Sequence, residues 1–427
     1  MSSFVFLIVL VGLFLIGVPI AFGLGISSVV TMLMQGNIRF SMIGQMMVSG
    51  VNSFTLLSVP LFLLAGKLMN IGGVTERLFD FCKSLVGFLP GGLGHVNVLA
   101  SVVFAGMSGT AVSDAGGLGA IEIKAMRDSG YDAEFACAVT ASSSTIGPII
   151  PPSLPMVVYG MVGSASVGAL FMAGIVPGLI MAVAMMAVVA IYAHRKGYPR
   201  EARPTWKSFL HALKEGILPL MTPVIIIGGI YSGYFTATEA AVIAVVYAFI
   251  LSVFVYKEMT WQKFKDVLYE TVRDSATIGL ILAASTLYGN VLIRAQIPQQ
   301  LLHVMTSAIT SPTVMLLVLN VFLLIVGCFM EPISAITILM PLIKPLITTM
   351  GIDPVHFGVV MILNLMVGLL TPPVGMCLFV ISRTSGLSIA KLSKACLPWV
   401  GTLILVVLLL SFCPSLVLCL PRALGML

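Results

Sequence analysis

Two apolar segments of the chain are interrupted at matching places by glycine and proline. Residues 147–152 (GPIIPP) interrupt the segment 134–163, and residues 368–373 (GLLTPP) interrupt the segment 357–384. Because proline removes a backbone donor and clashes with the preceding turn, we expect each helix to unwind there, with a simple kink as the alternative. Unwound backbone is tolerated inside a bilayer only where it lines a cavity or is buried in protein. Paired interruptions of this kind predict a transporter binding site.

The two breaks carry oxygen atoms that suit a monovalent cation. The hydroxyl groups of Ser142, Ser143, Ser144 and Thr145 precede the first break, and Thr371 lies in the second. Neither break contains a carboxylate, which disfavours Ca²⁺ and Mg²⁺ because they are bound through acidic ligands. Na⁺ is instead held by carbonyl groups at helix C-termini, while the helix N-termini beyond the prolines offer a positive dipole end to an anion. The pattern predicts a cation-coupled anion carrier.

Two further apolar segments, 93–120 and 314–340, are candidate re-entrant hairpins that face the breaks. Carboxylates inside such segments are energetically unfavourable and usually functional. We weigh a site role for Asp114 against a hydrogen bond that stabilises the hairpin, and Glu331 has the same two interpretations. Glu239 has a simpler explanation, since Thr236 and Glu239 have the spacing of a capping box that begins a helix.

The composition excludes both a water-soluble fold and disorder. Of 427 residues, 59% are hydrophobic and 9% are charged, and the mean hydropathy is +1.12. At about 20 apolar residues per spanning helix, the chain has room for about a dozen spans. The net charge of +6 comes without the basic cluster that nucleic-acid binding requires. The seven cysteines and five histidines have no metal-binding spacing, and no catalytic or cofactor motif indicates an enzyme.

The chain contains an internal repeat. An offset of 221 residues relates the two interrupted motifs, and it also relates Gly106 to Gly327 and Ser113 to Ser334. A long hydrophilic stretch lies near the middle of the chain. We therefore predict a first repeat at 1–193, a cytoplasmic linker at 194–215 and a second repeat at 216–427.

The basic residues set the predicted topology. We expect each half to have five crossings and one hairpin that enters and leaves on the same side. Because five is odd, the two repeats are then inverted with respect to each other. With the linker in the cytoplasm, both termini lie outside. All but four of the 22 Lys and Arg residues then lie on the cytoplasmic side; the exceptions are Arg39, Arg294, Lys344 and Arg422. Amphipathic segments at about 70–88 and 296–310 are expected to lie in the membrane plane and brace the protein, with an ordinary loop helix as the alternative. The predicted fold class is an all-α polytopic membrane protein.

An ordered set of motifs shows a family resemblance that spans essentially the whole chain. The motifs are FAGMSGTAVSDAGGLGAIEIKAM (104–126), ASSSTIGPIIPPSLPMVVYG (141–160), LFMAGIVPG (170–178), FTATEAA (235–241), FMEPISAITILMPL (329–342) and NLMVGLLTPPVGMCLFV (364–380). Together they resemble the large membrane subunit of tripartite ATP-independent periplasmic (TRAP) transporters. The chain is expected to be the unfused form, without the small subunit.

The resemblance implies an ion-transporter-superfamily fold. In this fold, a scaffold with in-plane arm helices holds a mobile transport domain that works as an elevator driven by Na⁺. The resemblance also implies a small four-helix membrane subunit and a periplasmic substrate-binding protein as partners. The binding protein would deliver the substrate, a small organic anion, to the lipid bilayer, and the small subunit would enlarge the scaffold.

By the same analogy, Na⁺ would bind where each hairpin meets its broken helix. The corresponding residues are Gly106, Ser108, Gly147 and Ile150 in the first half and Gly327, Cys328, Gly368 and Thr371 in the second. Substrate would lie between the two sites, near Asp114, Ser143, Ser144, Thr145 and Glu331. The family often has Asp where this chain has Glu331.

The sequence therefore predicts Na⁺-driven import of a small organic anion, such as a carboxylate, across the bacterial inner membrane, with a binding protein that delivers it. The main alternative is a self-sufficient anion/Na⁺ symporter of the same fold, which needs no binding protein. A proton-coupled antiporter would need buried ionisable side chains. The carboxylates that the apolar segments offer for this purpose are Asp114, Glu239 and Glu331.

Overall fold

The regular structure is helical throughout the residues that the computed structural model describes, 2–34 and 40–427. The helices of the first half are α1 (Ser2–Leu15), α2 (Ile20–Met34), α3 (Phe40–Val51), α4 (Ser58–Ile71), α5 (Val74–Val86), α6 (Gly92–Ser108), α7 (Ala111–Gly116), α8 (Leu118–Asp128), α9 (Ala133–Ser143), α10 (Leu154–Gly163) and α11 (Val167–Lys196). A 3₁₀ turn, Ser144–Ile146, extends α9 up to the first break.

The second half begins after the hydrophilic linker. Its helices are α12 (Trp206–Tyr231), α13 (Ala237–Ile250), α14 (Trp261–Arg294), α15 (Ile297–Ala308), α16 (Pro312–Phe329), α17 (Pro332–Thr349), α18 (Pro354–Gly368), α19 (Met376–Ser385), α20 (Ile389–Phe412) and α21 (Pro414–Ala423). A π-helical segment, Leu251–Val255, extends α13. Within the described residues, 8 helices are long and apolar enough to cross a membrane. The all-α polytopic membrane fold is thus confirmed.

The offset of 221 residues relates helices as well as motifs. Added to the bounds of α6, of α9 with its 3₁₀ turn and of α10, it gives the bounds of α16, α18 and α19 to within about one residue. At two places the first half has two helices where the second half has one. Helices α3 and α4 correspond to the single helix α14, and α7 and α8 correspond to the single helix α17. The inverted orientation of the halves stays a prediction. Arg39, on which that prediction partly depends, lies outside the described residues.

The hairpins extend beyond the ends that the sequence predicts. The apolar runs stop near 120 and 340, whereas the second arms continue to Asp128 and Thr349. Helix α8 continues because Leu118, Ile123 and Met126 keep one face buried after charged residues have interrupted the apolar run. The stretch 121–133, predicted as a cytoplasmic loop, is therefore helical in its first part.

The two interrupted helices form the centre of the protein. Every residue of α18 from Val355 to Gly368 is buried, and so is every residue of α9 from Phe135 onward. Helices α12, α13 and α16 bury far fewer of their residues. Because a helix that is apolar on all sides belongs in the interior, the helices that lead into the breaks lie inside the protein. The first break, 147–152, is buried throughout, whereas Pro372 and Pro373 of the second break are exposed.

The helices pack as two groups, and each group draws on both halves of the chain. In the first, α4 packs against α13, α14 packs against α2 and α3, and α12 packs against α5. In the second, α9 packs against α20, α16 against α18, and α10 against α17. Helix α19 of the second half also contacts α7 and α9 of the first. We call α1–α5 and α12–α15 the frame, and α6–α11 and α16–α21 the core group.

Ion pairs join the two halves of the frame near α5. Lys67 Nζ of α4 lies 2.6 Å from Asp274 Oδ2 of α14. Arg77 of α5 pairs with Glu215 at 3.2 Å and with Glu258 at 2.9 Å. Such partly exposed pairs stabilise the fold by at most about 1 kcal/mol each. Apolar packing therefore holds α5 in place, and the ion pairs determine which residues lie beside it.

Asp132 and Asp353 hold the same place in the repeat but make different contacts. Asp353 caps α18, since its Oδ1 accepts from the backbone N–H of Val355 at 2.8 Å. Asp132 does not cap α9, and its Oδ2 instead accepts from Lys196 Nζ at 3.0 Å and from the Tyr198 hydroxyl at 2.8 Å. These two donors lower the pKa of the Asp132 carboxyl below its ordinary value.

The cap at Asp353 can be tested by substitution. We expect Asp353→Ala to lower the free energy of unfolding by about 1 kcal/mol, because alanine leaves the first N–H groups of α18 without an acceptor. Thermal denaturation of the purified protein in detergent measures the change. Ser388→Ala is the matched control, since Ser388 precedes α20 without forming a side-chain cap. Equal losses in both variants would contradict the capping role.

Candidate ion and substrate sites

The second break and the tip of the second hairpin are in direct contact. The structure brings together Gly327, Cys328, Gly368 and Thr371, the four residues that the family resemblance assigns to one Na⁺ site. The Cys328 sulphur lies 2.9 Å from Thr371 Oγ1, and Thr371 Oγ1 donates to the Gly368 carbonyl at 2.9 Å. The Cys328 carbonyl accepts from the backbone N–H of Val374 at 3.2 Å. Side-chain and backbone contacts therefore join the hairpin tip to the break.

Glycine is required where α16 crosses α18. A Cβ on Gly368 would lie 2.3 Å from the carbonyl carbon of Gly327, and a Cβ on Gly327 would lie 3.1 Å from the Cα of Leu365. The atoms in the way belong to the backbone, which cannot rotate aside. The contact places the last turns of both helices side by side, and both turns carry partial negative charge. Two negative helix ends that meet favour a bound cation.

The first break contacts its hairpin through different atoms. The backbone N–H of Leu154 donates to the Gly109 carbonyl at 3.3 Å. A Cβ on Gly147 would lie 3.6 Å from the Thr110 carbonyl oxygen and 3.8 Å from Asp114 Oδ2. The structure therefore brings Gly147 and Asp114 together at the hairpin tip.

The other predicted ligands in the first half have separate surroundings. A Cβ on Gly106 would lie 2.6 Å from the Cβ of Pro223 on α12, so Gly106 faces the frame. Ile150 packs against Gly178 of α11. Ser108 is buried, and its hydroxyl has no hydrogen-bond partner among the described residues. The grouping of these residues into one ion site stays a prediction.

The three predicted substrate hydroxyls at the end of α9 are buried and already donate to the protein. The bonds run from Ser143 to Asn97 Oδ1 (2.7 Å), from Ser144 to the Ala141 carbonyl (2.8 Å) and from Thr145 to the Ser142 carbonyl (2.6 Å). Because each hydroxyl hydrogen is already used in these bonds, only the lone pairs of the oxygens are left for a ligand. Lone pairs suit a cation or a donor, so these hydroxyls would have to rotate to bind a carboxylate.

Glu331 and Thr110 share a repeat position, and both cap the second arm of a hairpin. Glu331 Oε2 accepts from the Ser334 N–H at 3.1 Å, and Thr110 Oγ1 accepts from the Ser113 N–H at 3.2 Å. Glu331 thus stabilises its hairpin, and its contact with substrate stays a prediction. Asp114 is only 1% exposed, and its Oδ2 has no hydrogen-bond partner in the described part of the chain.

Sequence reasoning missed two buried polar networks that join each hairpin to a broken helix. In the first half, Asn97 of α6 donates to Glu122 Oε2 of α8 at 2.6 Å and accepts from Ser143 of α9. In the second half, Asn364 of α18 donates to Asn320 Oδ1 of α16 at 2.8 Å. These bonds join the first arm of each hairpin, α6 or α16, to the helix that leads into the break, α9 or α18.

Two signals in the sequence could have located these networks. Ser143 and Asn364 occupy the same repeat position, directly before the two breaks. Glu122 follows Asp114 by eight residues, a spacing that places two side chains on one face of a helix. Glu122 lies just beyond the apolar run that stops near 120, so the run itself does not include it.

Three surface cavities are lined by other residues. Their volumes are about 550, 440 and 500 Å³, and they lie beside Arg77, Asp132 and Thr236, respectively. The predicted substrate residues Ser143 and Thr145 are both 0% exposed. The first-half side of the candidate substrate site is therefore closed in this structure, whereas Glu331 and Thr371 on the second-half side are partly exposed.

The glycine contact at the second break leads to a test of the site's packing. We expect Gly368→Ala to lower the melting temperature, because overpacking of this kind costs about 1–3 kcal/mol, and to abolish uptake. Gly401→Ala in α20 is the matched control, since a Cβ there would meet nothing within 4 Å. A Gly368→Ala protein as stable and active as the control would contradict the tight approach of α16 and α18.

Comparison with known proteins identifies the family. The family model described as the tripartite ATP-independent periplasmic transporter, DctM component, matches residues 7–416. The sialic acid TRAP transporter large permease protein SiaM of Vibrio cholerae is 44% identical over 411 residues, which are 96% of each chain. The C4-dicarboxylate TRAP transporter large permease protein DctM of Pseudomonas aeruginosa is 41% identical over 373 residues, 87% of each chain. These relatives are permeases and not enzymes.

Solved structures show the same fold at low sequence identity. The YdaH transporter of Alcanivorax borkumensis matches with a TM-score of 0.65 and 14% identity, over 86% of this chain and 87% of that one. At this identity the likeness concerns the fold alone. The family match over nearly the whole chain agrees with the motifs of both halves, so the resemblance seen in the sequence is confirmed. The chain belongs to the DctM family, the large permease component of tripartite ATP-independent periplasmic transporters.

Proposed function

We propose that this chain is a Na⁺-driven permease that imports a small organic anion, such as a carboxylate, into the bacterial cell. The observation that carries the proposal is the meeting of two helix C-termini at Gly327 and Gly368, beside the hydroxyl of Thr371. Carbonyl groups at such ends bind Na⁺ in transporters with broken helices. The negative ends of both helix dipoles add to the attraction.

The anion would bind beyond the breaks, at the N-termini of the second half-helices. Helix α19 begins at Met376 without a capping side chain. The N–H of Cys377 already donates to the Leu369 carbonyl at 3.2 Å, so a carboxylate would accept from the other N–H groups of this first turn. Cation and anion would thus occupy neighbouring helix ends of opposite polarity. The names of the relatives agree with this substrate class, since they specify sialic acid, C4-dicarboxylate and isethionate, all of which are organic anions.

The division into frame and core group supports an elevator mechanism. Both breaks and both hairpins belong to the core group, so that the ion and substrate sites would move together as one body against the frame. The frame would be enlarged by a small four-helix subunit, and a periplasmic binding protein would deliver the substrate. The protein would lie in the inner membrane with both termini in the periplasm.

The Na⁺ sites can be tested by removing one hydroxyl from each. In proteoliposomes that contain this chain, its small partner subunit and the loaded binding protein, we expect uptake of a labelled carboxylate to require an inward Na⁺ gradient. Thr371→Ala and Ser108→Ala should each raise the Na⁺ concentration for half-maximal uptake about tenfold, which corresponds to about 1.4 kcal/mol of lost binding.

Thr402→Ala is the matched control for the Thr371 substitution. Thr402 also donates to a helix carbonyl, that of Pro398 at 2.9 Å, but it lies on the exposed face of α20. Its Na⁺ dependence should equal that of the unchanged protein. Uptake that is the same in Na⁺ and choline gradients would remove the sodium proposal altogether.

The role of the binding protein separates the proposal from the self-sufficient symporter of the same fold. We expect uptake of free substrate to fall to background when the binding protein is left out, because substrate would reach the site only from the docked complex. The measurement is the initial uptake rate with and without the purified binding protein at equal substrate concentration. Equal rates would favour the self-sufficient symporter.

A further inference from the structure

Glu122 is a carboxylate buried inside the core group. Only 1% of its surface is exposed, and Asn97 Nδ2 donates to its Oε2 at 2.6 Å. Its other oxygen, Oε1, is also buried and has no hydrogen-bond partner among the described residues. The function proposed above leaves this residue without a role.

The negative charge of Glu122 has no counter-charge among the described residues. None of the ion pairs of the described residues includes Glu122 or Asp114. The titratable groups that interact with Glu122 electrostatically are Asp114 of α7 and the Cys82 thiol of α5, and neither supplies a positive charge. A buried carboxylate beside a second one is strongly unfavourable unless a bound positive charge balances it.

Neutral polar groups from two helices, α6 and α9, lie near the two carboxylates. Asn97 and Ser101 lie four residues apart on one face of α6, and Ser101 lies beside Asp114. Asn97 Nδ2 also donates to Thr140 Oγ1 of α9 at 2.7 Å. The buried region between α6, α7, α8 and α9 therefore combines unpartnered carboxylate oxygens with hydroxyl and amide groups.

We propose that Glu122 binds one monovalent cation, a sodium ion or a proton, in a buried site apart from the two hairpin tips, with Asp114 at the first tip as a second negative charge that adds to the field at the site. The site is distinct from the tip because Asn97 precedes Ser108 by eleven residues, which is about 16 Å along α6. The hydrogen bond from Ser143 to Asn97 Oδ1 connects the site to the end of α9. Binding at Glu122 thereby orients a hydroxyl at the candidate substrate site.

The inference rests on the proposed ion-driven uptake, and counting the transported charges tests it. Glu122→Gln removes the charge but keeps an oxygen that accepts from Asn97 Nδ2. The maximal substrate accumulation in proteoliposomes is measured first as a function of the Na⁺ gradient at fixed pH and then as a function of the pH gradient at fixed Na⁺. At a tenfold gradient of the bound ion, the loss of one coupling ion lowers the accumulation ratio about tenfold. Glu134→Gln, an exposed change in the first turn of α9, is the matched control.

The two series of gradients identify the ion. If the accumulation ratio of Glu122→Gln drops in the series with a Na⁺ gradient, the site binds Na⁺. If the ratio drops in the series with a pH gradient, the site binds a proton. An unchanged accumulation ratio in Glu122→Gln, whatever its uptake rate, overturns the inference and leaves Glu122 a structural residue. If the unchanged protein shows no ion-dependent uptake at all, the proposed function fails instead.

A binding measurement keeps the inference testable if Glu122→Gln cannot transport. Thermal stabilisation by Na⁺ and by acid is measured on purified protein that carries Ser108→Ala and Thr371→Ala, so that the tip sites are weakened. Any thermal stabilisation that remains in this double variant should disappear when Glu122→Gln is added to it. It should return when Glu122→Asp is added in place of Glu122→Gln. Persistence of the same stabilisation in the Glu122→Gln protein would overturn the inference.

Discussion

The structure depends on one constraint, which is that backbone groups at a helix end inside a bilayer must find partners. The two breaks expose such ends at the centre of the protein. A hairpin tip covers each break, and the Cys328 carbonyl accepts from Val374 across the second contact. Helices α9 and α18, which lead into the breaks, are buried on all sides, so water cannot reach their backbone groups. The site therefore lies where the backbone would otherwise be unsatisfied.

The same constraint explains why the two halves pack into one another. A hairpin and a broken helix from a single half leave apolar surface that the other half covers, as α10 does with α17 and α19 does with α7 and α9. Ser144 and Cys377, from opposite halves, are 3.7 Å apart at this junction. Neither half could therefore form the core group alone. Contacts within the frame, such as that of α4 with α13, also cross between the halves, and the frame meets the core group where α5 packs against α6 and α14 against α17.

The breaks and the helices of the hairpins could be predicted because they depend on local rules, whereas a scaffold was implied only by the family resemblance. Proline and glycine set the positions of the breaks, and the cap at Thr236 and Glu239 follows from its spacing and is present in the structure. The burial of Glu122 could not be predicted in the same way, since it depends on how the separate helices α6, α8 and α9 pack against one another. The different surroundings of Gly106 and Gly327 could not be predicted either, because Pro223 belongs to the other half.

The contact between Gly327 and Gly368 also constrains how this protein can change. In most cores a larger residue on one side can be accommodated by a smaller one opposite it, so paired substitutions exchange volume. Here both residues already lack a side chain, and the atoms that meet are backbone. No second substitution at this pair can rescue the first. The contact therefore has a single solution in sequence space, and variation has to occur elsewhere.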